Sequence, residues 1–165
     1  MGRRSITLGG AAIVLAAALA CGGTKTSEPQ LPTDVEALRA TLAPYASLAL
    51  AKGAGYGVAI TDCMSNGDLG AMGVHFGNTA LIDDKLDAAH PEILIYEPGA
   101  GGEMSLVGVE FIVPFAARAR TSPPPELFGQ QFLRDETFGL WALHVWTHRA
   151  NPSGLFAPWN PRVHC

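Results

Sequence analysis

The chain has 165 residues, with 11 lysines and arginines against 15 aspartates and glutamates, and a formal net charge of −4 at neutral pH. No basic stripe runs along any segment, which argues against a nucleic-acid partner. The charge balance is mildly acidic.

The chain opens MGRRSITLGGAAIVLAAALACGGT. Arg3 and Arg4 precede a small, apolar run, Ile6 to Ala20, that is short for a bilayer span and carries the flanks of a signal peptide. Ala18-Leu19-Ala20-Cys21 resembles a bacterial lipobox. In signals of that kind the cysteine receives lipid and becomes the mature N-terminus, which makes Cys21 the expected membrane anchor. The polar, proline-bearing stretch that follows reads as a tether. The expected organisation is a signal over 1–20, a flexible tether over 21–32 and one globular domain over 33–165, long enough at roughly 130 residues to bury a core.

Thr33 to Ala51 predicts a helix. Thr33 and Glu36 stand at capping-box spacing, and Val35, Leu38, Leu42 and Tyr45 recur at helical spacing. Pro44 should kink or divide it. Gly53, Gly55 and Gly57 loosen the chain, and Cys63 to Gly70 reads as a polar loop. Ala71 to Gly77 predicts a strand with Met72, Val74 and Phe76 on one face and His75 on the other. Leu81 to His90 reads as a loop or helical turn. Glu92 to Glu97 and Glu103 to Phe115 form an expected hairpin around the Pro98–Gly102 turn. Thr121 to Pro125 is a loop, with a short turn beyond it. Phe138 to His148 reads as a strand, although its Leu and Ala also tolerate a helix. The prolines and glycine after Asn151 predict an ordered coil. The fold class is therefore α+β: one N-terminal helix, then a mainly antiparallel sheet of about four strands, with the C-terminal coil strapped over it.

Chemistry concentrates on a few residues. Glu110 lies in the apolar run Leu106 to Phe115, where alternation places it with Leu106, Gly108 and Ile112, and Val107, Val109, Phe111 and Val113 on the other face. A carboxylate there needs a partner. It is a metal ligand or general base, or it faces water at a sheet edge, or it pairs with Arg118 or Arg149. His75 points away from the apolar side of its strand. His144 and His148 would share one ion on a helix, with Cβ atoms about 5–6 Å apart. On a strand they lie about 13 Å apart. The strand reading thus favours His75, Glu110 and His144 as ligands for zinc or copper, with His148 and Glu97 as additional candidates. The alternatives are a structural or partner-binding domain and a metal-dependent hydrolase or oxygenase.

With Cys21 assigned to lipid, Cys63 and Cys165 remain, and two cysteines in an exported chain are expected to pair. Closing so long a loop is worth roughly 4–5 kcal/mol on a chain-entropy account. Trp146, Phe156 and Trp159 offer large surfaces from which the tail could build a lid and an aromatic pocket beside His144.

The words MGVHF, LIYEP, LVGVEFIVP, PELFGQ and LHVWTHRANPSGLFAPWNPRVHC together resemble a family of uncharacterised exported bacterial proteins, usually labelled lipoproteins. The resemblance covers about Gly70 to Cys165. It implies export and a membrane-anchored life in the cell envelope. It implies no activity, small ligand or protein partner.

Overall fold

The computed structural model describes residues 1, 2 and 30–165. Most of the expected signal, Cys21 and most of the tether lie outside them. No helix among the described residues is long and apolar enough to cross a membrane.

The expected helix over Thr33–Ala51 does not form as one element. It divides into α1 (Thr33–Thr41), a 3-10 turn (Ala43–Ala46) and α2 (Leu48–Gly53). Pro44 lies in the first turn of the 3-10 segment, where its missing N–H breaks no helical hydrogen bond. The capping box does not form either. Pro32 occupies the N-cap and makes no side-chain cap. Ser47 caps α2 instead, its hydroxyl accepting from the Leu50 N–H.

The domain is mostly sheet, as expected, but with more strands. β1 (Val58–Ser65), β2 (Ala71–Gly77), β3 (Ile93–Pro98) and β4 (Met104–Pro114) form an antiparallel meander. β5 (Glu126–Leu127) and β6 (Gln130–Gln131) make a small separate hairpin. β7 (Leu133–Asp135) and β8 (Leu140–Val145) return to the main sheet, whose order is β1-β2-β3-β4-β8-β7. β1 and β7 have no counterpart in the sequence reading. Both are edge strands, and most of their residues are exposed. Neither carries the buried alternation that marks a strand in sequence.

The six strands curl into a half-barrel. Register shifts interrupt β1–β2 pairing at three places and β3–β4 pairing once. Such bulges bend a strand and increase its twist. The β4 bulge falls at Val107, because Ile95 pairs with Gly108 and Tyr96 with Leu106. It corrects the alternation read from sequence: Leu106 turns to the face of Val109, Phe111 and Val113, and Val107 joins the face of Ile112. Gly73 adopts φ +94°, in the left-handed region that glycine alone enters freely.

The two faces bury different partners. The outer face, with Leu94, Tyr96, Phe111 and Leu143, packs against Val35, Leu38, Leu42 and Ala51 from the helical segments. The inner face, with Ile93, Ile95, Val107 and Ile112, packs against Trp146 and the tail residue Val163.

The tail is an ordered strap, as expected. Asn160 bridges to Ala71 through paired backbone hydrogen bonds. The Trp146 indole N–H donates to the Ala157 carbonyl. Cys165 is disulfide-bonded to Cys63 on β1, with Cα atoms 5.5 Å apart.

Candidate metal centre

Three inward-facing side chains converge on the concave face. Each sits on a different strand, and the sheet register dictates their meeting. Glu110 of β4 pairs directly with His144 of β8 and, on its other side, with Ile93 of β3. His75 of β2 pairs with Ile95 of β3, one same-face position along. In a flat sheet β2 and β4 would stand about 9–10 Å apart with β3 between them. Across the curled face, His75 Nε2 lies 3.7 Å from Glu110 Oε2 and 3.4 Å from His144 Nε2. His144 Nδ1 lies 3.5 Å from Glu110 Oε1.

Gly108 brings the end of β8 close to β4. A Cβ at that position would stand 2.7 Å from the Val145 carbonyl oxygen, well inside contact distance.

The cluster is buried: His75 is 2 % exposed, Glu110 8 % and His144 6 %. Burial disfavours every charged form. It pushes Glu110 up to about 8, an effect that the charges of Asp135 and Glu92 add to. It pushes His75 down to about 4, against a hydrogen bond to the Gly73 backbone. It pushes His144 down to about 3, with His75 adding to the shift. At neutral pH the favoured state is two neutral imidazoles and one protonated carboxyl group.

Neighbours hold the rings in place. His75 Nδ1 and Thr61 Oγ1 of β1 are 2.8 Å apart. With Nδ1–H donating to that oxygen, the Nε2 lone pair faces the cluster, the orienting contact usual around a metal-binding histidine. His144 stacks on Trp146, centroids 6.2 Å apart and planes 22° apart. The tail thus acts on the site from behind, fixing the indole that backs His144.

A cleft of about 70 Å³ opens beside the cluster, lined by residues from β1 to β4 and by Asp135, Phe138, Leu140 and His144. No residue beyond His144 lines it. Trp146, Phe156 and Trp159 do not form the expected aromatic pocket. Trp146 lies behind His144 and is only 2 % exposed. Phe156 stacks on Phe128 against the outer core. Trp159 is half-buried, and its carbonyl accepts from Asn151. The strap contributes no residue to the lining of the cleft and so is not a lid over it.

His148 and Glu97, the additional candidates, are not part of the cluster. β8 ends at Val145, and the backbone N–H groups of His148 and Arg149 both donate to the Val107 carbonyl at the β4 bulge. This turn carries His148 away to a separate cavity of about 340 Å³ near Glu36 and Arg39. Glu97 pairs with Arg149 and accepts from the His164 backbone N–H, which makes it a clamp on the tail. Arg118 donates to the Pro123 carbonyl. Neither arginine therefore serves as the partner considered for Glu110.

Missing from the sequence reading was Thr61, because its strand was read as irregular chain. Among the described residues, His75, Glu110 and His144 form a group able to hold a metal ion, each offering one ligand atom within 4.8 Å of the others. Around a tetrahedral ion with bonds of about 2.0–2.1 Å, ligand atoms stand roughly 3.3–3.4 Å apart. The histidine Nε2 separation of 3.4 Å meets that spacing.

The chain matches no protein-family model, no curated protein and no solved structure. Its functional reading therefore rests on the chemistry of this site.

Proposed function

We propose that this is an exported, lipid-anchored protein of the bacterial cell envelope that binds a transition metal, zinc or copper, through His75, Glu110 and His144. One observation carries the reading: two imidazoles and a carboxyl group, unpaired to any arginine or lysine among the described residues, converge from three strands at ligand spacing in a buried site. Burying a carboxyl group and two imidazoles without strong partners is costly, and a bound cation would offset that cost. The Cys63–Cys165 disulfide supports export, since such bonds persist in oxidising compartments. In this reading Cys21 carries the lipid.

Binding is favoured over turnover. A cleft of about 70 Å³ is far smaller than the roughly 300–1,000 Å³ typical of small-molecule sites.

The test is elemental analysis of the full chain, purified in mild detergent without chelator or metal-affinity tag. The expected result is near one equivalent of zinc or copper, lost in His144→Ala while the circular dichroism spectrum is retained. No metal after purification, and none after addition of either ion, would overturn the reading in favour of a structural or partner-binding domain.

A further inference from the structure

The cleft holds two donors of a different kind. Met64 of β1 and Met72 of β2 line it together with His75, Glu110 and His144. Both methionines are half-buried. Strict alternation would put Met72 on the face opposite His75. The register shift at Gly73 brings it to the same cleft instead.

A methionine in an apolar wall is ordinarily a gap filler. Here two thioethers border a site that already presents two imidazoles, and the rest of the wall is largely apolar, with Ile60, Ile93 and Phe138. Thioether sulfur is a soft donor that selects copper(I), whereas zinc is held by imidazole, carboxylate and thiolate. The surroundings point the same way. Desolvating a doubly charged ion costs more than desolvating a singly charged one, and Glu110 is the one carboxylate in the ligand cluster; Asp135, the other acid lining the cleft, already accepts from the Thr137 and Phe138 N–H groups.

We infer, on the reading that this cluster binds metal, that its preferred cargo is copper(I), held by His75 and His144 with a thioether from Met64 or Met72 as a further ligand. Glu110 is then the donor on which a harder ion such as zinc depends most. The step is binding alone, with no electron transferred.

The experiment compares the full chain with Met64→Leu/Met72→Leu and with Glu110→Gln. Leucine for methionine keeps volume and apolarity. Copper(I), supplied anaerobically as its acetonitrile complex, is titrated against a chromogenic copper(I) chelator, and zinc is titrated separately against a zinc dye. The double methionine variant is expected to lose at least tenfold in copper(I) affinity and to keep its zinc affinity within about twofold. Glu110→Gln should show the reverse preference. Unchanged copper(I) affinity in the methionine variant overturns the inference, and so does an equal loss for both ions, which would make the methionines packing alone. If the double variant fails to fold, X-ray absorption of the copper(I)-loaded unaltered chain decides instead: a copper–sulfur shell is expected, and a shell of nitrogen and oxygen alone overturns the inference. Zinc binding without copper(I) binding by the unaltered chain sinks the copper assignment and leaves the metal site standing. Binding of neither ion sinks both.

Discussion

Zinc binding at mildly acid pH should release close to one proton, and the count should barely change between pH 5.5 and 6.5. With Glu110 near 8, its carboxyl group is almost fully protonated in this range. His75 and His144, near 4 and 3, are almost fully neutral. A bound ion needs all three unprotonated, so about 1.0 proton leaves at both ends of the range. A different placement of that proton within the cluster gives the same count, because the cluster as a whole holds one. Were the same residues solvated, with ordinary values, the two histidines would dominate. The count would then fall from about 1.9 at pH 5.5 to about 1.0 at pH 6.5. A zinc-bound water titrating near 7 adds about 0.25 proton at pH 6.5 and almost none at pH 5.5, a small rise opposite in sign to the fall expected of solvated histidines. Isothermal titration calorimetry in buffers of different ionisation enthalpy measures the count directly, as the slope of observed enthalpy against buffer enthalpy. A count that starts near two and drops steeply would refute the picture of a desolvated, neutral cluster, even if zinc binds.

The same shifts dictate a stability profile for the metal-free protein. Glu110 and Glu92, raised to about 8 and about 7, hold protons in the folded state that the unfolded chain has released. Their contribution is complete at low pH and is lost as pH rises. His75 and His144 act in the opposite direction, losing their contribution as pH falls below about 6.5. Denaturant melts should therefore show a fall of about 2 kcal/mol from pH 6.5 to 8. In Glu110→Gln most of that fall should vanish, and an undiminished fall in the variant would assign it elsewhere. Replacing both Cys63 and Cys165 with serine should cost about 2–5 kcal/mol and expose the tail to proteolysis. An unchanged melt and digestion pattern would show that the strap does not depend on its covalent clamp. Thr61→Val should weaken zinc binding by about tenfold or more by releasing the His75 ring. Equal zinc affinity in a dye competition would show that the hydroxyl does not orient the ligand.

Much of the site was legible in the residues themselves. Glu110 stood out because a carboxylate inside an apolar strand violates the burial pattern, and His75 because it stands on the face of its strand away from Met72, Val74 and Phe76. On a strand the HxxxH spacing separates its two histidines, and in the structure His144 reaches the cluster and His148 does not. The disulfide followed from cysteine arithmetic and holds in the structure. Edge strands were harder to read. β1 and β7 owe their form to neighbours, and an exposed strand buries too little to leave a periodic signal. The division of the N-terminal helix was signalled by Pro44, but the loss of its cap to Pro32 was not.

Composition and order by themselves determined a mostly antiparallel domain, a covalently pinned tail and a short roster of residues able to bind a metal. Only tertiary structure decided which of them meet. Alternation assigns a residue to a face, but bulges at Val107 and Gly73 reassign neighbours by one position. Sheet curl then brings together side chains from strands that are not adjacent. Both effects come from pairing between distant segments, and that pairing is energetically settled by burying two faces at once. No local window of sequence contains it.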